Sequence, residues 1–204
     1  DLLEGARYLR RHPPVASVVL VKSGWSLAGG LILLQSIFGE RVYPLWGSAA
    51  VGIGMLATAR GIGTALGPLV ARRWLGDSQR ALALGIAAGF FVTGGFYLVF
   101  AVVNNLPLAL VVLLAAHMGG STLWVFSTTL LQMSVPDALR GRVFAAELAL
   151  MTLGLTLSNF VTGWALDTLG WTPRTLAAVL GALCFVPGSV WLLLQRSPRF
   201  RVAA

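Results

Sequence analysis

The chain predicts an all-α membrane protein of six spans, and three observations carry that expectation. Six long apolar runs occupy most of its 204 residues, and the short polar gaps between them alternate between arginine-rich and arginine-poor. A run of about 18 or more apolar residues crosses the hydrocarbon core as a helix. The composition is 57% hydrophobic and 11% charged, against about 25% charged in soluble domains, and the mean hydropathy is +0.82. Six such runs leave almost no chain for a soluble domain.

The positions of the charges orient the spans. Arg7, Arg10 and Arg11 precede the first run, Arg72, Arg73 and Arg80 separate the second from the third, Arg140 and Arg142 the fourth from the fifth, and Arg196, Arg199 and Arg201 follow the sixth. The alternate gaps hold only Arg41 and Arg174, eleven basic residues against two, with Lys22 and Arg60 inside the runs. By the positive-inside rule both ends of this segment are cytoplasmic. This distribution also explains the net charge of +8 without a nucleic-acid partner. Cys184 is the only cysteine, so neither a disulfide framework nor a Cys/His metal cluster is expected, and no cofactor is called for. The start at Asp1, with no signal-type segment, reads as a piece of a longer polypeptide. Arginine over lysine, with abundant Ala, Leu and Gly, reads as a GC-rich bacterial source and a multi-pass protein of its inner membrane.

Residues 1–14 form a cytoplasmic amphipathic linker helix, with Leu2, Leu3, Ala6, Tyr8 and Leu9 apolar and Glu4 placed to pair with Arg7 and Arg11, stopped by Pro13-Pro14. A transmembrane bundle over 15–195 follows, with spans at 15–37, 48–71, 81–103, 106–131, 143–166 and 175–194, and a cytoplasmic tail at 196–204. Turn residues mark the arginine-poor gaps: Glu40-Arg41-Val42-Tyr43-Pro44, Asn104-Asn105-Leu106-Pro107 and Gly170-Trp171-Thr172-Pro173. Trp25, Trp46, Trp74, Trp171 and Trp191 are read as an interfacial belt near span ends, Trp25 fitting least well.

Gly63 with Gly67, and Gly85 with Gly89, lie four apart on the second and third spans. Small residues at that spacing let helix backbones approach closely in lipid, so tight packing is expected, with sliding faces in a transport cycle as the sharper alternative. Spans two and five share an echo, Gly67-Pro68-Leu69-Val70-Ala71 before Gly76 and Gly163-Trp164-Ala165-Leu166-Asp167 before Gly170. They are the second members of two triplets, and they exit on opposite sides. Two inverted three-helix repeats are therefore expected, a plan common among secondary transporters.

Polar groups inside a bilayer need a reason. Arg60, near the middle of span two, costs about 2.5–3.5 kcal/mol at a helix centre and should face a cavity or a partner. Glu147, one turn into span five, reads either as a membrane-edge salt bridge to Arg140 or Arg142 or as a titrating carboxylate. His117 in span four reads as a proton relay or, more simply, as a hydrogen-bonded residue between helices. Lys22 in span one is expected to snorkel to the interface, and Asn159, Gln35 and Gln132 are candidate substrate contacts. Spans one, two, four and five carry the ionisable groups, so they are expected to line a cavity, with spans three and six packed behind.

Three segments carry a family resemblance. They are Glu4-Gly5-Ala6-Arg7-Tyr8-Leu9-Arg10-Arg11-His12-Pro13, Ala59-Arg60-Gly61-Ile62-Gly63-Thr64-Ala65-Leu66-Gly67-Pro68 and Val135-Pro136-Asp137-Ala138-Leu139-Arg140-Gly141-Arg142-Val143-Phe144. The chain resembles the C-terminal six-helix half of a major facilitator superfamily transporter, in particular bacterial exporters of the macrolide-efflux and enterobactin-exporter kind. The segments are similar to the family's linker helix before the seventh helix, its eighth helix, and the loop between its tenth and eleventh. The resemblance implies half of a twelve-helix fold, substrate held between two halves, and cytoplasmic closure at the start of the eleventh helix, here Arg140, Arg142 and Glu147. The chain departs from the superfamily's loop signature at Ala71-Arg72-Arg73, which lacks the acid, so that gating role is expected in the N-terminal half.

The function expected on these grounds is secondary active transport, the proton-coupled export of a small amphipathic or drug-like molecule by alternating access. The expected partners are that substrate, protons, lipid and the N-terminal six-helix half of the same polypeptide. The alternatives are a free-standing six-helix carrier that dimerises and a non-transporting membrane scaffold. An enzyme is not expected, because no HExxH, GxSxG or paired-acid pattern occurs.

Overall fold

A computed structural model describes residues 2–202, with the side chains of residues 2–4 and 6 excepted. The expected contributions of Leu2, Leu3, Glu4 and Ala6 to the linker helix therefore lie outside the described side chains. Helix α1 (Leu2–Arg11) is followed by α2 (Pro13–Ser26), α3 (Gly30–Arg41), α4 (Ala49–Leu75), α5 (Gln79–Val102), α6 (Leu106–Ser134), α7 (Asp137–Asp167), α8 (Pro173–Leu183) and α9 (Phe185–Arg196). The described residues form an all-α fold in which α2 with α3, α4, α5, α6, α7, and α8 with α9 make six helices long and apolar enough to cross a membrane.

The sequence explains where these helices start and stop. Pro13 and Pro14 open α2, as proline can in a first turn, whose N–H groups have no helical acceptor. Side chains of Ser48, Ser78, Asn105 and Thr172 accept from the backbone N–H groups of Val51, Ala81, Leu108 and Thr175, capping α4, α5, α6 and α8. Gly76 ends α4 at φ 87°, a left-handed conformation suited to glycine. The gap expected around Arg140 and Arg142 is helical instead: α7 begins at Asp137 and runs for 31 residues. At about 1.5 Å per residue it is longer than a hydrocarbon core of about 30 Å. Its first turns can stay helical outside the apolar layer, so the helix begins before the apolar run does.

Two spans are interrupted. Pro187 has no N–H for the carbonyl of Leu183, and the sixth span breaks there, at Cys184. Span one breaks at residues 27–29, where the backbone bonds tighten to three-residue spacing. Ser158 Oγ of α7 donates to the Leu27 carbonyl at 2.7 Å and accepts from Gly30 N at 3.0 Å.

Packing centres on α5 and α6. Helix α6 lies against α4, α5 and α2; α5 also packs on α8 and α9; α2 and α3 pack on α7, and α3 on α4 and α8. All four expected packing glycines face α6. A Cβ on Gly63 or Gly67 would collide with the backbone of Leu114 or Met118, one on Gly85 with the Phe126 ring, and one on Gly89 with the Gly119 carbonyl. Two apolar clusters result. One, around Phe38, Tyr43, Leu56, Phe100 and Leu113, fills the arginine-poor end. The other, around Val18, Ile86, Phe90, Phe126, Leu130 and Trp191, fills the arginine-rich end.

The aromatic belt is corrected in part. Trp46, Trp74 and Trp171 are exposed, as an interface requires, but Trp191 is buried and donates from Nε1 to the Ala83 carbonyl at 2.9 Å. Trp25 faces an internal cavity. At the arginine-poor end, Tyr43 donates to the Val103 carbonyl at 2.7 Å, and Arg174 donates to the carbonyls of Ala101 and Val103. Burial raises the Tyr43 phenol above its ordinary range, opposed by the Arg174 charge, so the hydroxyl keeps its proton to donate.

Candidate functional site

A cavity of about 360 Å³ lies at mid-bundle. Its position follows from the two clusters. Along α6 the arginine-poor cluster ends at Ala116 and the arginine-rich one begins at Leu123, and the cavity is lined by His117, Gly120 and Ser121 between them and by Trp124 just beyond. Helix α4 supplies Arg60 and Thr64, one turn apart. Pro68, four residues on, leaves the Thr64 carbonyl without its helical donor. Trp25, Leu31 and Ile32 of span one and Met151 and Leu155 of α7 make an apolar wall.

Span three corrects the expected division of labour. Thr93 and Tyr97 of α5 both line the cavity, whereas α8 and α9 do not. The two residues are four apart and share a helix face, a signal present in the sequence but set aside because neither residue is charged. Trp25 and Trp124 were missed for a similar reason. Aromatic residues read as belt or core, yet these two meet edge-to-face at 5.8 Å between ring centroids.

Polar groups converge behind one wall. Gln35 Nε2 donates to Tyr97 Oη at 2.8 Å and contacts His117 Nε2 at 2.6 Å, while Tyr97 Oη lies 2.9 Å from the same nitrogen. The network is consistent if His117 Nε2 is the acceptor and the ring proton sits on Nδ1. The hydrogen-bonded reading of His117 therefore holds, and Gln35 supports it from behind the lining. Arg60 is half-buried and makes no hydrogen bond or ion pair with any described residue.

A second polar cluster sits toward the arginine-rich end. Lys22 Nζ donates to Glu147 Oε2 at 2.9 Å and to Thr128 Oγ1 at 2.8 Å, and lies 4.7 Å from the centre of the Trp124 ring. Both charged side chains are almost wholly buried. This overturns two expectations. Lys22 does not snorkel, and Glu147 pairs with neither Arg140 nor Arg142. The reason is geometric: α2 packs on α7, so a lysine and a carboxylate on facing helices neutralise one another where water is scarce. Trp124 touches the cavity on one side and Lys22 on the other.

The remaining expected site residues are dispersed. Arg140 pairs with Asp137 at 2.7 Å and donates to the carbonyls of Gln132 and Val135, capping the C-terminal end of α6. The Arg142 backbone abuts Gly5 of α1. Asn159 lies outside the cavity lining, and its Oδ1 is buried without a partner. Gln132 is exposed. Among the described residues no group of three His, Cys, Asp or Glu side chains could hold a metal ion.

Comparison with known proteins finds one informative similarity. A protein of Pseudescherichia vulneris, described as an uncharacterized 29.9 kDa protein in the crtE 3' region, is 26% identical over 204 aligned positions, covering 88% of this chain and 71% of that protein. No family model matches the chain, and no solved structure does.

Proposed function

We propose that this chain is one six-helix half of a secondary active transporter of the major facilitator type, which exports a small amphipathic molecule in exchange for protons by alternating access. The observation that carries the reading is the mid-bundle cavity, which sets Arg60, Tyr97 and His117 against an apolar wall of Trp25, Leu31 and Met151. Ligand sites are concave, mainly apolar, and orient their ligand with a few convergent polar groups.

The packing supports two inverted triplets. Span two lies on span four as span five lies on span one, and spans three and six lie on each other. Exchanging the triplets maps each of these contacts onto another or onto itself. Spans two and five are also equally exposed, with 22% of each apolar window buried. That leaves free a face against which a second half would close the cavity.

A half-size reading has its own support. The relative's mass of 29.9 kDa falls short of twice the 21.6 kDa of this segment, as a free-standing carrier that dimerises would. Two measurements decide. The mass of the native polypeptide, tagged in its chromosomal gene, separates a twelve-helix chain from a half-size one. Efflux of amphipathic dyes from proteoliposomes under an imposed proton gradient, with Arg60→Ala alongside, tests transport. Gradient-independent dye retention would end the transport reading and leave a membrane scaffold. Unchanged efflux in Arg60→Ala would remove Arg60 from the site.

A further inference from the structure

Charge accounting in the cavity narrows what it can hold. The chain has seven acidic residues. Within the spans, away from their ends, only Glu147 occurs, and it is engaged by Lys22. Asp77 pairs with Arg72, Asp137 with Arg140, and Glu40 and Asp167 are exposed at helix ends. Among the described residues no carboxylate lines the cavity, yet Arg60 does, eleven residues from Ala49 and fifteen from Leu75. Its guanidinium stands near mid-membrane with no counter-charge among the described residues. His117 Nε2 and Tyr97 Oη are already engaged with Gln35 and each other, and neither side chain supplies an anion.

We propose that the cavity binds an anionic amphiphile, with a carboxylate, phosphate or sulfonate on the Arg60 guanidinium and an apolar ring-bearing body against Trp25 and Trp124. Guanidinium matches such oxyanions with paired N–H donors. Thr64, one turn along α4, also lines the cavity, and its hydroxyl can donate to the head group. The tryptophan pair, its rings nearly perpendicular, supplies an apolar aromatic corner at the arginine-rich side of the cavity. A cationic amphiphile would meet like charge from Arg60, with no carboxylate in the lining to offset it. This inference rests on the cavity being the substrate site. The same head-group chemistry belongs to free organic acids and to anionic lipids.

The test uses the full native polypeptide in phosphatidylcholine nanodiscs, with equilibrium binding of radiolabelled 2-naphthoate, 2-naphthalenemethanol and 2-naphthylmethylammonium. Naphthoate should bind at least about tenfold more tightly than the alcohol, the effect of one charge-assisted hydrogen bond. Arg60→Gln should abolish that difference while the alcohol still binds, and Arg60→Lys should keep part of it. Competition by added phosphatidylglycerol would assign the site to a lipid head group, and indifference to it would assign the site to a free acid. Equal binding of acid and alcohol, or a preference for the ammonium, overturns the proposal in the unmodified protein, whatever the folding of the variants. An acid preference without gradient-driven flux would keep the anion site and remove transport. Flux without an acid preference would do the reverse.

Discussion

Lys22 Nζ and Glu147 Oε2, 125 positions apart in the chain, meet at 2.9 Å inside the bundle and tie span one to span five. The second carboxylate oxygen, Oε1, is buried without a partner, so the pair is only partly compensated. Removing one member of a buried pair costs about 3–5 kcal/mol, whereas replacing both by apolar residues is often neutral. Lys22→Met and Glu147→Leu should each lower the thermal midpoint of the purified protein, and the double variant should recover most of the loss. A double variant as unstable as the sum of the singles would mean that the two side chains act independently.

Glycine positions on α4 should separate sharply. Gly67→Ala places a methyl group against the Met118 carbonyl, while Gly61→Ala meets nothing within 4 Å. Overpacking costs about 1–3 kcal/mol, so Gly67→Ala should reduce the monodisperse fraction on size-exclusion chromatography. Gly61→Ala should match the parent or exceed it through better helix propensity.

Two tyrosines offer a contrast. Tyr97→Phe strips Gln35 of an acceptor and His117 of a neighbour in a buried site, an expected loss of about 1–3 kcal/mol. Tyr43→Phe removes a donor from the Val103 carbonyl, which keeps Arg174, so its expected loss is below about 1 kcal/mol. Thermal melts of the two variants side by side check the order.

Topology is open to chemical labelling. In a Cys184→Ala background, Asp77→Cys should react with a membrane-impermeant maleimide only after the cytoplasmic side is exposed. Asn104→Cys should react in intact cells. The opposite pattern would invert the orientation drawn from the arginines.

The sequence made some features legible and hid others for physical reasons. The long apolar helices were readable because hydropathy is a local property; the expected 48–71 and 81–103 differ from Ala49–Leu75 and Gln79–Val102 by four residues or fewer, while α7 begins six residues before the expected 143. Arg60 was readable as a residue that needs either a cavity or a partner, because a cation in mid-span is costly in lipid, but the sequence left that choice open. The partner of Glu147 was not readable, because α2 meets α7 through tertiary packing that no spacing encodes, and the nearby Arg140 and Arg142 made a more obvious choice. Thr93 and Tyr97 were visible but misassigned, since uncharged polar residues leave open which face of a helix turns inward.

Ser158 bears on the order in which the molecule is assembled. Its hydroxyl completes both backbone groups opened by the break in span one, across 131 and 128 positions of chain. Before α7 arrives, those groups have no such partner, and bare backbone in hydrocarbon costs several kcal/mol. Span one is therefore expected to enter the membrane as an unbroken helix and to bend only when the fifth span docks. Amide exchange at Gly30 and Leu31, slow in a chain truncated after α6 if the helix is continuous there, would report that straight precursor. On this account the shape of span one is written by a segment that follows it by more than a hundred residues.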